Sequence, residues 1–263
     1  MTNDNKGIYG ISKGEFFAKL PNKIVWTLGG VNTMSLRKEL NFPFTVSGLY
    51  VLYENCNLMG YSMFSINNLI ERCGYKSRKE NVDLFREFLL QLQFLDMIEP
   101  NIDLETVKAN DFIMAKLNLK IDTEYFMVYH NQYSTIFNSD YDTSTKNNVF
   151  TFLCYILSRI RTLKVGENGA DSEYCFFNYE RAIKDLGISK PTLVKCTKIA
   201  KELGLIYSDN VGKIKKDNRQ CSNVYALTEK GLDFGLKQSY EYYNCEYVDN
   251  FVPKEQYKKK YGV

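Results

Sequence analysis

The sequence predicts an α+β chain, mainly helical, arranged as two consecutive domains that each carry short β-strands. Three observations lead there. Apolar residues recur at three- and four-residue steps in several segments, the period of a helix with one buried face. Short runs of aromatic and β-branched residues interrupt those segments and read as strands. The stretch 64–74 (FSINNLIERCG) has the pattern of 177–187 (FNYERAIKDLG), the mark of an internal repeat. A length of 263 residues is enough for two small domains, each with its own core.

Residues 1–42 are weakly patterned and punctuated by Pro21 and Gly29-Gly30, so they read as an irregular lead-in with a short strand at 24–26. The first domain is expected over 43–137. Val46, Leu49, Tyr50, Tyr53 and Leu58 place a helix over 45–58, ended by Gly60. Ser65 caps a short helix over 66–73, which Gly74 stops. Val82, Phe85, Phe88, Leu89, Leu92 and Leu95 form an apolar stripe over 81–96, and Phe94 is expected to join Phe85 and Phe88 in the core. Segments 112–114, 117–121 and 125–129 read as strands. The polar run 138–147 (NSDYDTSTKN) is the expected boundary.

The second domain is expected over 138–239. It opens with an apolar helix over 148–164, a loop over 165–173 and a short strand at 174–177. Asn178 caps a helix over 179–186, stopped by Gly187; Ser189 caps a longer one over 190–203, with Pro191 in its first turn. Gly204 ends that helix. An extended segment at 205–207, a polar basic excursion and a second strand at 224–227 follow, and Thr228 caps a last helix over 229–238. The tail 240–263 is rich in Tyr and Lys and is expected to be only partly ordered, by docking.

Residues 176–227, FFNYERAIKDLGISKPTLVKCTKIAKELGLIYSDNVGKIKKDNRQCSNVYAL, carry short helix, tight G-I-S turn, longer helix, strand, basic loop, strand. This order resembles the winged helix-turn-helix family, over some 80–90 residues once the preceding helix is included. The resemblance implies that the helix after the turn enters a DNA major groove while the hairpin loop, the wing, touches flanking backbone. Leu193, Thr197, Ala200 and Leu203 repeat at core spacing, which turns Lys190, Thr192, Lys195 and Lys198 outward. Ser189 and the helix N-terminus offer N–H groups to a phosphate. The wing supplies Lys213, Lys215, Lys216, Asn218 and Arg219. From Arg181 to Arg219 ten basic residues face four acidic ones, a net +6, so the rest of the chain carries −3 against an overall +3. Positive charge is concentrated where a phosphate backbone would lie.

In the upstream repeat a few extra residues separate the two helices, and Lys76, Arg78 and Lys79 there are candidates for backbone contact. Its long helix mixes Arg86 with Glu80, Asp83 and Glu87, so its expected role is partly assembly, as a homodimer. Two tandem winged helices in a chain rich in Lys and Asn look like replication initiators of plasmids and mobile elements in low-GC Gram-positive bacteria, and like the related helicase-loading proteins. That likeness implies sequence-specific binding of double-stranded origin repeats and recruitment of replication machinery such as a helicase or its loader, without catalysis or cofactor. A transcriptional regulator of a phage or plasmid operon, and a protein-interaction scaffold without DNA, are the alternatives.

Other chemistries find little support. No G-x-x-x-x-G-K-S/T run is present, and residues 166–169 form a short acidic loop. A single His130 cannot build a paired-histidine metal cluster, and it reads as a packed or boundary residue. The pairs Asp140/Asp142 and Asp122/Glu124 read as solvated carboxylates, and no metal site is expected. Seven dispersed cysteines without a C-x-x-C read as reduced thiols in a cytoplasmic protein. The longest apolar-dominated stretch, 149–157, is too short to cross a membrane, and MTNDNKGIYG lacks the pattern of a secretory signal. The tail tyrosines Tyr240, Tyr242, Tyr243, Tyr247, Tyr257 and Tyr261 read first as packing or dimer contacts, and second as stacking platforms for single-stranded bases.

Overall fold

Local caps and short strands set the architecture of the computed structural model, which describes residues 16–26, 34–118, 125–160 and 173–262. Gly29-Gly30, the expected strand residues 119–121, Asp122, Glu124, the expected helix residues 161–164 and the loop residues 165–172 lie outside the described residues. The chain is a mixed α/β protein with small antiparallel sheets. It divides into two units, one gathering 15–158 with 185–187, the other 159–184 and 188–263.

In the first unit, β1 (Phe17–Pro21) is followed by a single 3-10 turn at Asn22–Ile24, so the expected strand at 24–26 lies earlier, at 17–21. Next come α1 (Leu36–Leu40), α2 (Thr45–Glu54), β2 (Tyr61–Phe64), α3 (Ile66–Arg72) and α4 (Lys79–Phe94). Then follow β3 (Ile98–Pro100), β4 (Ile113–Leu117), β5 (Tyr125–Tyr129), α5 (His130–Phe137) and α6 (Thr143–Arg159). The Ser65 hydroxyl accepts from Asn68 N at 3.1 Å and starts α3, as its sequence position predicts. β2, β4 and β3 form one antiparallel sheet in that order, and β1 pairs with β5. The core is aromatic: Phe44 stacks on Phe85 at 3.7 Å between ring centroids, and Phe88 meets Phe44 edge-on. Gly48 lets α2 approach that core, since a Cβ there would sit 3.0 Å from the Phe88 ring.

Two expectations change here. Phe94 is 89% exposed rather than core. It stands six residues, about 240° of helical arc, beyond Phe88, and so leaves the buried stripe. The expected boundary at 138–147 falls inside the first unit. Asp142 accepts from Thr145 N at 2.9 Å, so a polar cap begins α6 within that run. Asn147 then donates to Cys73 O at 3.0 Å and Thr143 donates to Gly74 O at 2.6 Å, tying α6 to the end of α3. Residues Val149, Phe150, Phe152, Leu153 and Ile156 are all buried, so α6 has little polar face along its centre.

The second unit carries β6 (Tyr174–Phe177), α7 (Tyr179–Leu186), α8 (Lys190–Glu202), β7 (Tyr207–Asp209), β8 (Gly212–Ile214), β9 (Arg219–Gln220) and β10 (Asn223–Ala226). After them come α9 (Glu229–Glu246), β11 (Phe251–Pro253) and α10 (Glu255–Tyr261). β6, β10 and β7 form an antiparallel sheet in that order, the same strand order as β2, β4, β3. α8 packs against β7 and buries Leu193, Cys196, Ile199 and Ala200, and on the sheet Phe177 stacks on Tyr225 at 4.5 Å. On the other side α9 lies over Val224, its Gly235 so close that a Cβ would meet Val224 at 2.6 Å, while Phe176 beside Val224 stays 54% exposed. A second cluster on that side joins Val211, Ile214, Cys221, Val224, Leu236, Tyr240 and Tyr257.

The tail docks as expected, but it is longer in regular structure than the sequence predicts. The last helix runs on to Glu246 rather than 238, β11 pairs with β8, and α10 packs back onto α9. Tyr240 and Tyr257 are buried, so part of the ordering comes from burial of aromatic area within the chain itself. Among the described residues no helix is long and apolar enough to cross a membrane.

Candidate nucleic-acid interface

α8 starts at a double cap. Thr192 N donates to the Ser189 hydroxyl at 3.5 Å, the two hydroxyls lie 2.9 Å apart, and Pro191 occupies the first turn. Leu193 and Ala200 are buried as expected, but Cys196 and Ile199 hold the centre of the buried stripe. Thr197 and Leu203 are half-buried instead, and Thr197 donates to Leu193 O at 2.9 Å. Lys190, Lys195 and Lys198 are exposed and Thr192 is half-buried. Lys198 lies 3.7 Å from Glu202, an exposed pair of small energetic weight. Lys201 is spent differently, donating to Ser208 O at 3.0 Å.

The basic excursion is a hairpin, β8 paired with β9. Lys213, Lys215, Lys216, Asn218 and Arg219 are all exposed on it. Asn218 adopts φ +55° at the turn, a left-handed geometry that Asn tolerates. Asp217 accepts from Arg219 N at 3.0 Å and lies 3.5 Å from the Arg219 guanidinium. Asn218 thus shapes the turn that presents its basic neighbours.

Sequence reasoning missed what holds this hairpin. β11 adds to its edge, and the Lys215 N–H bonds to Asn250 O. At its base Asp209 receives Lys254 at 2.5 Å together with the Tyr257 hydroxyl. Burial pushes the Asp209 carboxyl up, but the hydrogen bonds from Lys254, Tyr257 and Asn210 N outweigh it and hold the group below its ordinary value. The spacing of Tyr240, Tyr243 and Tyr247 was the available signal for the longer α9, a helical stripe running beyond 238.

In the first unit Lys76, Arg78 and Lys79 are exposed at the turn before α4. Behind them the surface differs. Arg86 is half-buried, donating to Leu104 O at 3.2 Å and Val107 O at 2.9 Å, so its guanidinium fastens the β3–β4 loop to α4. Glu80, Asp83 and Glu87 are left as the exposed charges of the helix beyond Lys79.

His130 and Asp142 have structural partners. His130 Nδ1 lies 2.6 Å from Glu54 Oε1, a buried carboxylate that also meets Arg72 and the Tyr50 hydroxyl. Asp142 is a helix cap and Asp140 is exposed. All seven cysteines are free thiols; burial pushes Cys73 and Cys196 up to about 12 and Cys221 up to about 11, which keeps them protonated. Among the described residues no group of three or more His, Cys, Asp and Glu side chains is gathered for a metal. No protein-family model matches the chain, and no curated protein matches it either.

Proposed function

We propose that this protein is a sequence-specific binder of double-stranded DNA that works through two winged helices. The first is β2-α3-α4-β3-β4 and the second β6-α7-α8-β7-β10. The reading is supported by their shared strand order, third strand between first and second, and by the helix–turn–helix before the hairpin. The observation that carries it is the basic surface of the second unit, where Lys190, Lys195 and Lys198 on α8 and Lys213, Lys215, Lys216 and Arg219 on the hairpin are all exposed. In this reading α8 enters the major groove. Lys190, Thr192, Lys195 and Lys198 meet base edges and phosphates there, and the Ser189 cap leaves N–H groups for a phosphate. The hairpin lies along flanking backbone, where contacts fix register but read no sequence.

The first unit touches backbone through Lys76, Arg78 and Lys79 and otherwise serves assembly, as a homodimer on repeated half-sites. The biological role we propose is replication initiation on a plasmid or mobile element: binding origin repeats and recruiting a helicase or its loader, with no chemistry of its own. The test is fluorescence anisotropy on duplexes tiled from the DNA flanking the encoding gene, across a salt series. Tight binding to a repeated element, with log affinity falling linearly in log salt, is expected. Equal weak affinity for every duplex, or none, overturns the reading.

A further inference from the structure

Beside α8 the second unit holds a groove of about 350 Å³, bounded by the N-terminal half of α8, strand β9 and the C-terminal turns of α9. Its chemistry is mixed. Tyr243 forms a fixed wall, its hydroxyl accepting from Ser222 N at 2.9 Å. Tyr242 meets it edge-on, with ring centroids 5.2 Å apart, and is itself 51% exposed. Lys190 and Arg219 line the same groove, against one carboxylate, Glu180. The amide of Gln220 adds a donor and an acceptor. An exposed aromatic ring and two cations lining one concave, half-polar site match a planar base attached to a phosphate better than an apolar peptide side chain.

A base within a duplex presents its edge, and its face becomes available only when it leaves the stack. We propose that this groove receives one unpaired nucleotide of DNA, the base stacked on Tyr242 and the phosphate held by Lys190 and Arg219. The inference rests on the DNA-binding reading above and extends it to tyrosines at the end of α9, outside the helix–turn–helix. It gives the protein a grip on strands that have separated, next to its grip on the duplex.

The test uses the full chain with a labelled oligo(dT) of about 12 nucleotides and, separately, its best duplex. The wild type is expected to bind both. Tyr242→Ala is expected to lose roughly tenfold in affinity for the single strand, a modest value for one base–ring stack, while duplex affinity and melting temperature stay unchanged. Tyr242→Phe, which keeps the ring, is expected to bind the single strand like the wild type. Absence of oligo(dT) binding, or Tyr242→Ala binding it like the wild type, overturns the inference even if duplex binding persists. So does a Tyr242→Ala protein that changes its sedimentation but not its oligo(dT) affinity, which makes the groove a protein contact. Loss of duplex binding alone, with the Tyr242 effect intact, counts against the duplex reading and leaves the groove standing.

Discussion

The runs β2-α3-α4-β3-β4 and β6-α7-α8-β7-β10 share element order and strand order but present different surfaces. On α4 the one cation that would face outward mid-helix, Arg86, is consumed by loop carbonyls, and the β3–β4 loop folds back on buried Leu104 and Val107. That loop carries Asp103, Glu105 and Asp111 against Lys108. On α8 three lysines stay exposed, and the corresponding hairpin is basic and braced from behind by the tail. The sheets differ too. α9 covers Val224 on the central strand β10, whereas Met114 on the central strand β4, which pairs with Met63 as Val224 pairs with Phe176, is half-buried. The two runs thus share an order of strands and differ in charge. In the DNA-binding reading proposed above, the run that meets a polyanion is set by where the cations go and by what stiffens the hairpin.

The largest test of this contrast concerns the sheets. Val224 is fully buried beneath α9, so Val224→Ser is expected to cost about 2–3 kcal/mol in denaturant unfolding, through lost apolar burial and a new buried hydroxyl. Met114→Ser, at the corresponding central-strand position of the first sheet, is expected to cost no more than about 1 kcal/mol. Equal costs would mean that the first face is covered as the second is.

A second difference is a buried carboxylate at the entry to β6. Both Glu173 carboxylate oxygens are buried without a hydrogen-bond partner among the described residues, and burial pushes the group up to about 7. The native state then keeps a proton that the unfolded chain releases above about pH 4.5. Stability should therefore fall as pH rises from about 4.5 to 7 and level off above that. Glu173→Gln is expected to flatten this slope and to add on the order of 2 kcal/mol at pH 8. Melting curves of both proteins across pH check it; an unchanged slope would place the titration elsewhere.

A smaller effect separates hairpin from helix. Replacing Lys213, Lys215 and Lys216 with Ala is expected to lower affinity roughly tenfold on every duplex alike and to flatten the salt dependence, as phosphate contacts do. Loss on one sequence only would make the hairpin a reader of bases.

Legibility in the sequence followed the range of the interactions. Asn178, Ser189 and Thr228 were readable as caps because each acts within three residues, on Arg181 N, Thr192 N and Gly231 N. The outward lysines of α8 followed from helical phase, although Cys196 and Ile199 took the place assigned to Thr197 and Leu203 in the buried stripe. The polar cap of α6 looked like a linker because cap and linker residues are the same types. β11 was invisible, since three residues carry no period and its partner β8 lies some forty residues upstream. The brace on the hairpin was missed with it, and so was the groove that α9 completes.

The central claim is that the second unit, through α8, carries the DNA grip. Its most direct test compares two triple variants of the full chain by anisotropy on one duplex across salt: Lys190, Lys195 and Lys198 to Ala, and Lys76, Arg78 and Lys79 to Ala. Each removes three charges from an exposed site, so the change in net charge is the same. The account predicts a loss of about 100-fold with a salt slope shallower by about three for the α8 variant, and a loss within about threefold for the other. Equal losses, or a larger one for the Lys76, Arg78 and Lys79 variant, would contradict it.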